Sequence, residues 1–146
     1  MHEIRTEIEI ACTPQRLWAV LMDFAAYPSW NPFIRSITGS AQTGGKLTVA
    51  IQPSGGKAMT FRPTVLVSKA HSEFRWLGHF LFRGVFDGEH YFLITPIAAG
   101  AVRFVQGEKF SGALVGLAKS SLDRGTKAGF IAMNQSIKAR AESASN

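Results

Sequence analysis

His90, Gln106 and Glu108 are the residues of this sequence whose types and spacing best suit chemistry. Gln106 and Glu108 sit in an alternating run with Val102, Phe104 and Phe110, opposed by Arg103, Val105, Gly107 and Lys109, so a strand places them among aromatics on one face. In the preceding run His90, Phe92 and Ile94 oppose Glu89, Tyr91 and Leu93, and the alternation leaves open which set points inward. With the first set inward, His90 joins the other two. A carboxylate beside an imidazole favours the protonated ring and suits exchange of a proton, the work of a general acid and base. A plainer reading competes with this one: Glu108 at a rim in water, or paired with Arg83 or Arg62 as part of the scaffold. Burying a carboxylate without a partner is costly, so Glu108 must be paired, hydrated or set at the mouth of a partly wet space.

Other chemistries find less support. The histidines His2, His71, His79 and His90 are far apart with no ligand spacing, so no metal site is expected. There is no Gly-x-Gly-x-x-Gly, phosphate loop or serine nucleophile elbow, so no cofactor is expected. Cys12 is the single cysteine and reads as a small buried hydrophobe, which rules out a disulfide within the chain. The formal charge of +6 would suit nucleic acid, but the arginines are spread along the chain and no recognition motif accompanies them, so no nucleic-acid partner is expected. With 46% hydrophobic and 18% charged residues and no apolar run long enough for a membrane span, the chain reads as a soluble globule. The first residues lack the basic start and apolar core of a secretion signal, and a cytoplasmic location is the expectation. Its length of 146 residues suits one domain, 1–146.

The elements that must position these residues follow from periodicity. Residues 3–10 alternate Ile4, Thr6, Ile8 and Ile10 against charged neighbours, a strand with one apolar face. Thr13-Pro14 starts a helix whose apolar side is Leu17, Trp18, Val20, Leu21 and Phe24. Pro28 and Pro32 confine the next stretch to a short turn and a rigid aromatic corner. Six strand-like runs follow at 33–40, 46–52, 59–69, 73–79, 84–95 and 102–110, with Pro63 marking an edge or a bulge in the third. Residues 113–141 read as one long helix. Its predicted buried face carries Leu114, Ala118, Ser121, Leu122, Gly125, Ala128, Gly129, Ala132 and Met133, with Asn134 and Lys138 on the other side. Each glycine costs about 1 kcal/mol against alanine in a helix interior. The small face therefore either admits a closely packed neighbour or walls a cavity.

The run from Thr13-Pro14 through Leu17-Trp18 to Asp23-Phe24 and the corner Tyr27-Pro28-Ser29-Trp30-Asn31-Pro32-Phe33 resemble the START-related, or SRPBCC, superfamily, in its polyketide cyclase/dehydrase-like branch. Phe86-Asp87-Gly88-Glu89-His90-Tyr91-Phe92 and Phe104-Val105-Gln106-Gly107-Glu108-Lys109-Phe110-Ser111-Gly112 carry the likeness into the last helix. The resemblance covers almost the whole chain. It implies an α+β helix-grip fold: a seven-stranded curved antiparallel sheet around a long C-terminal helix, with two short helices between strands 1 and 2. It also implies a ligand cavity between sheet and helix, lined by Trp30, Phe61, Trp76, His90, Phe92, Phe104, Gln106, Glu108, Leu122, Gly125, Gly129 and Met133. The heat-shock chaperone activators share the opening pattern but follow it with a different tryptophan-rich corner.

Three functions are compatible with this reading. The first is binding of a small hydrophobic, lipid- or polyketide-like molecule, with Trp30 and Trp76 packing on it and Gln106, Glu108 and His90 orienting a polar group. The second is a cyclase or dehydratase using His90 and Glu108. The third is a protein-interaction module whose core is filled. A monomer or weak homodimer is expected.

Overall fold

A computed structural model describes residues 2–79 and 83–143, apart from the side chain of Ser121. Strand β1 (His2–Ile10) buries Ile4, Thr6 and Ile10 and turns its charged residues outward. Thr13 caps helix α1 (Pro14–Met22) by accepting the Arg16 amide at 3.1 Å, and Pro14 occupies the first turn, where a missing N–H is harmless. A 3-10 turn (Phe24–Ala26) and the single turn α2 (Tyr27–Trp30) form the aromatic corner. Asn31 ends it, because its carboxamide oxygen accepts the amides of Phe33 and Ile34 at 2.9 and 2.8 Å and swings the chain into the next strand.

Seven further strands follow: β2 (Ile34–Gly39), β3 (Leu47–Ile51), β4 (Met59–Phe61), β5 (Thr64–Lys69), β6 (Glu73–His79), β7 (Asp87–Ala98) and β8 (Ala101–Ser111). They form two antiparallel sheets, five strands in the order β1-β8-β7-β6-β5 and three in the order β2-β3-β4. The single seven-stranded sheet expected from the sequence is thereby corrected. The run at 59–69 breaks in two because Pro63 has no N–H for the ladder. Its carbonyl accepts the Leu47 amide at 3.0 Å instead, and Val65 exchanges 2.8 Å bonds with Gly44 and Gly45. These bonds tie the small sheet to the edge of the large one, so together they curve around the C-terminal helix as the helix-grip fold requires.

That helix is not one uniform element. It runs as α3 (Val115–Ser121), a π-helical turn (Leu122–Thr126) and α4 (Lys127–Glu142). A π-turn holds one residue more than an α-turn, so everything after it is rotated by about 100°. The consequence is visible residue by residue: Thr126, Gly129, Phe130, Met133 and Asn134 are buried where an unbroken helix would bury Gly125, Ala128, Gly129, Ala132 and Met133. Ala128 is exposed, and Asn134, expected on the wet side, is 3% exposed. Ile137 and Ala141 continue the buried stripe against β1 and α1. Among the described residues no helix is long and apolar enough to cross a membrane.

Candidate functional site

Strand pairing brings the chemically capable residues into two adjacent rows on the inner face of the large sheet. Trp76 of β6 pairs with His90 of β7, and His90 with Glu108 of β8. In the next row Phe74 pairs with Phe92, Phe92 with Gln106, and Gln106 with Thr6 of β1. The facing that alternation left open is decided by the outer side. There Arg75 is held between Glu73 and Glu89, each at 2.8 Å, and lies 4.8 Å over the ring of Tyr91. Tyr91 packs on Gly107, where a Cβ would overlap its ring, and donates to Glu3 at 2.7 Å. Burial, and then the Glu3 carboxylate, push the Tyr91 phenol up to about 12. His90, Phe92 and Ile94 are left to point inward.

His90 is fully buried in an aromatic box. Trp76 stacks on it at 5.0 Å and 22°, Phe130 meets it edge-on at 5.1 Å, and Phe33 lies beyond at 6.4 Å. Its Nε2 is 3.0 Å from Gln106 Oε1 and its Nδ1 is 3.3 Å from Glu108 Oε1. Glu108 is therefore paired with the imidazole, not with Arg83 or Arg62. Behind Gln106 the polar contacts continue: its Nε2 donates to Asn134 Oδ1 at 2.8 Å, and Asn134 Nδ2 donates to Thr6 Oγ1 at 2.8 Å. Thr6 in turn donates to the Gln106 carbonyl at 2.9 Å. Sequence reasoning missed Asn134 and Thr6. Thr6 carried a signal as the one polar member of β1's apolar face; Asn134 carried none, because the π-turn decides where it points.

Beyond the Trp76–His90–Glu108 row lies a cavity of about 410 Å³. Its floor is Trp76, Gly88, Glu108 and Phe110, and one wall comes from Val49, Ile51 and Phe61 of the small sheet with Pro53 and Pro63. Leu114, Leu117, Ala118, Leu122 and Thr126 border it on the helix side. Glu108 reaches the space past Gly88, where a Cβ would overlap Glu108 Oε2, so a glycine there is a condition of the carboxylate's position. At the rim His79 contacts Asp87 at 2.7 Å, and this contact, with the amide of Gly84, holds the Asp87 carboxyl below the usual carboxylate range.

Of the residues expected at the site, Phe61, Trp76, Glu108 and Leu122 line the cavity. His90, Phe92, Phe104, Gln106 and Met133 lie fully buried in the packing beneath it. Trp30 is brought to neither place: it sits on the corner, 5.2 Å from Tyr27, with its indole N–H buried and without a partner among the described residues. Gly129 is pressed on Phe33, whose ring a Cβ would overlap, while a Cβ on Gly125 would meet Pro53 and the Ser54 carbonyl at an ordinary 3.5 Å. Neither glycine faces the open space. Among the described residues no cluster of His, Cys, Asp or Glu could hold a metal ion.

Comparison with known proteins places this geometry. The family described as polyketide cyclase / dehydrase and lipid transport matches over residues 1–142. The chain belongs to this family. A polyketide cyclase/dehydrase and lipid transport domain of this kind is also similar in fold to solved structures of low identity. One is the ZhuI aromatase/cyclase from Streptomyces, at 14% identity and a TM-score of 0.78, covering 97% of this chain and 93% of that one. Another is a START superfamily protein from Mycobacterium smegmatis, at 17% identity and a TM-score of 0.74, covering 99% and 100%. A norcoclaurine synthase point mutant from Thalictrum flavum matches at 12% identity and a TM-score of 0.73, covering 96% and 93%. At such identities the likeness concerns the fold. Among curated proteins none matches.

Proposed function

We propose that the protein binds a small hydrophobic, lipid- or polyketide-like molecule in the cavity between the two sheets and the α3 end of the helix. One observation carries this reading: the space is of small-ligand size, its walls are apolar, and one carboxylate, Glu108, is presented from its floor. Apolar burial supplies the affinity, with Trp76 and Phe61 as the aromatic surfaces, and Glu108 supplies orientation. An open cavity also favours this reading over an interaction module with a filled core. The test is extraction of the purified protein and mass spectrometry of what accompanies it, followed by thermal-shift titration of wild type and Ala118→Trp. Ala118 lines the space from a half-buried helical position, so the indole occupies the cavity. Ligand-dependent stabilisation of wild type that is lost in the variant supports the reading; equal stabilisation of both overturns it.

A second reading, a cyclase or dehydratase, is favoured by the 3.3 Å contact between His90 Nδ1 and Glu108 Oε1 at the cavity floor. In that case Glu108 is the group that meets substrate, and His90, walled off by Trp76, acts through it. Turnover of an identified substrate that survives intact in Glu108→Gln excludes it.

A further inference from the structure

The polar residues behind Glu108 form a chain with only one consistent order of donors and acceptors. Both ends are backbone carbonyls, which can only accept. Thr6 has one hydroxyl proton and gives it to the Gln106 carbonyl, so its oxygen must accept from Asn134 Nδ2. Asn134 then shows Oδ1 to Gln106 Nε2, whose other proton points at the Phe130 carbonyl at 3.5 Å. Gln106 is left with Oε1 toward His90, so His90 Nε2 carries a hydrogen. The ring meets Glu108 through Nδ1. If Nδ1 is bare, any proton on Glu108 is drawn to Oε1 to be shared with it; if Nδ1 is protonated, it donates to Oε1. In both cases Oε2, the oxygen lying over Gly88, is without a proton.

Glu108 Oε2 accepts no hydrogen bond from the described residues, and Glu108 and Gly88 both line the cavity. No lysine or arginine is among the described lining residues. Among the other lining side chains with polar atoms, the Thr126 hydroxyl can donate or accept, the Trp76 indole N–H can only donate, and His79 is engaged with Asp87 at the rim through Nδ1; Glu108 is the one carboxylate among the described lining residues. From these contacts, and resting on the binding role proposed above, we infer that the cavity selects apolar molecules bearing a hydrogen-bond donor, alcohols or phenols foremost, and rejects the matching carboxylates. A hydroxyl donates to Oε2, whereas a carboxylate brings lone pairs against lone pairs in a sheltered site where such a mismatch is costly.

The test uses three probes of one shape, 2-naphthol, 2-methoxynaphthalene and 2-naphthoate, titrated into the full chain near neutral pH by calorimetry. The naphthol binds about tenfold tighter than its methyl ether, the size of one sheltered hydrogen bond, and the naphthoate binds weakest. Ether and naphthol binding equally, or naphthoate binding as well as naphthol, overturns the donor preference while leaving a hydrophobic cavity in place. No binding by any of the three overturns both this inference and the binding role beneath it. Glu108→Gln keeps the naphthol preference within about threefold, because its amide nitrogen turns to His90 Nδ1 and its oxygen stays over Gly88. Glu108→Leu removes the preference yet still binds the ether, which shows that its cavity is intact. A preference lost in Glu108→Gln, or a bare His90 Nε2 in nitrogen-15 NMR spectra, overturns the proposed order of the chain.

Discussion

Gly125 and Gly129 lie one turn apart on the C-terminal helix, yet their surroundings differ. Over Gly129 there is no room for a methyl group, because the ring of Phe33 occupies it, and from there to Ile137 the interior is closed by Phe104, Phe130 and Met133. Around Gly125 the neighbours stand at contact distance, and beside it the helix leaves the sheet to cover the cavity of about 410 Å³. The two regions share one helix and one sheet. What separates them is the aromatic wall of Phe33, His90 and Trp76, together with the π-turn that changes which residues the helix offers. A cavity in this fold is thus made by interrupting packing at one place, where Ala118 lines it, and the two glycines of the helix are not its cause.

The strongest way to break the comparison is to remove the wall. Phe33→Ala deletes a ring that is 1% exposed and is expected to cost about 3–5 kcal/mol in urea unfolding. Asn134→Leu is next, at about 2–3 kcal/mol, because it leaves one proton of Gln106 Nε2 and the accepting side of Thr6 Oγ1 without a partner in the closed half. Gly129→Ala is expected to destabilise by about 1–2 kcal/mol, overpacking against Phe33 outweighing the gain in helix propensity, and to become stabilising once Phe33 is alanine. Gly125→Ala, one turn earlier, should be neutral or stabilise by up to about 1 kcal/mol; a loss comparable to that at Gly129 would erase the distinction between the two regions.

The smallest effect belongs to the rim. Asp87 has a depressed carboxyl pKa, chiefly through His79, so its contribution is present above the unfolded carboxylate value near 3.9 and is lost as pH falls through the lower folded value. Unfolding midpoints of Asp87→Asn should accordingly converge with those of wild type in strong acid and fall below them at neutral pH. A constant gap across that range would show that the rim pair contributes nothing through ionisation.

Several features of the molecule were legible in local chemistry. Thr13-Pro14 announces the start of α1, the Asn31 corner is bracketed by prolines, and alternation in the last strand puts Gln106 and Glu108 inward. These depend on neighbours within a few residues, which one chain displays directly. The placing of the site was legible only in part: Phe61, Trp76, Glu108 and Leu122 face the cavity, whereas Trp30 and both glycines do not. Where both faces of a strand mix apolar and polar residues, as around His90, alternation cannot choose between them. The choice falls to the Arg75 cover over Tyr91, a contact across strands.

By itself, then, the sequence determined the succession of first strand, helix, aromatic corner, run of strands and C-terminal helix, and an inward-facing polar pair on the last strand, because periodicity and turn chemistry act over short distances; the helix-grip architecture followed from the family resemblance that those residues carry. Tertiary structure alone decided that the interruption marked by Pro63 divides the strands between two sheets, the rotation of the helix at Leu122–Thr126, and the burial of Asn134 that completes the chain behind His90. A π-turn has no local sequence rule that would announce it here. It forms where α3 and α4 must each satisfy a different neighbour, one the cavity and the other the closed core, and one extra residue in the turn lets a single helix do both.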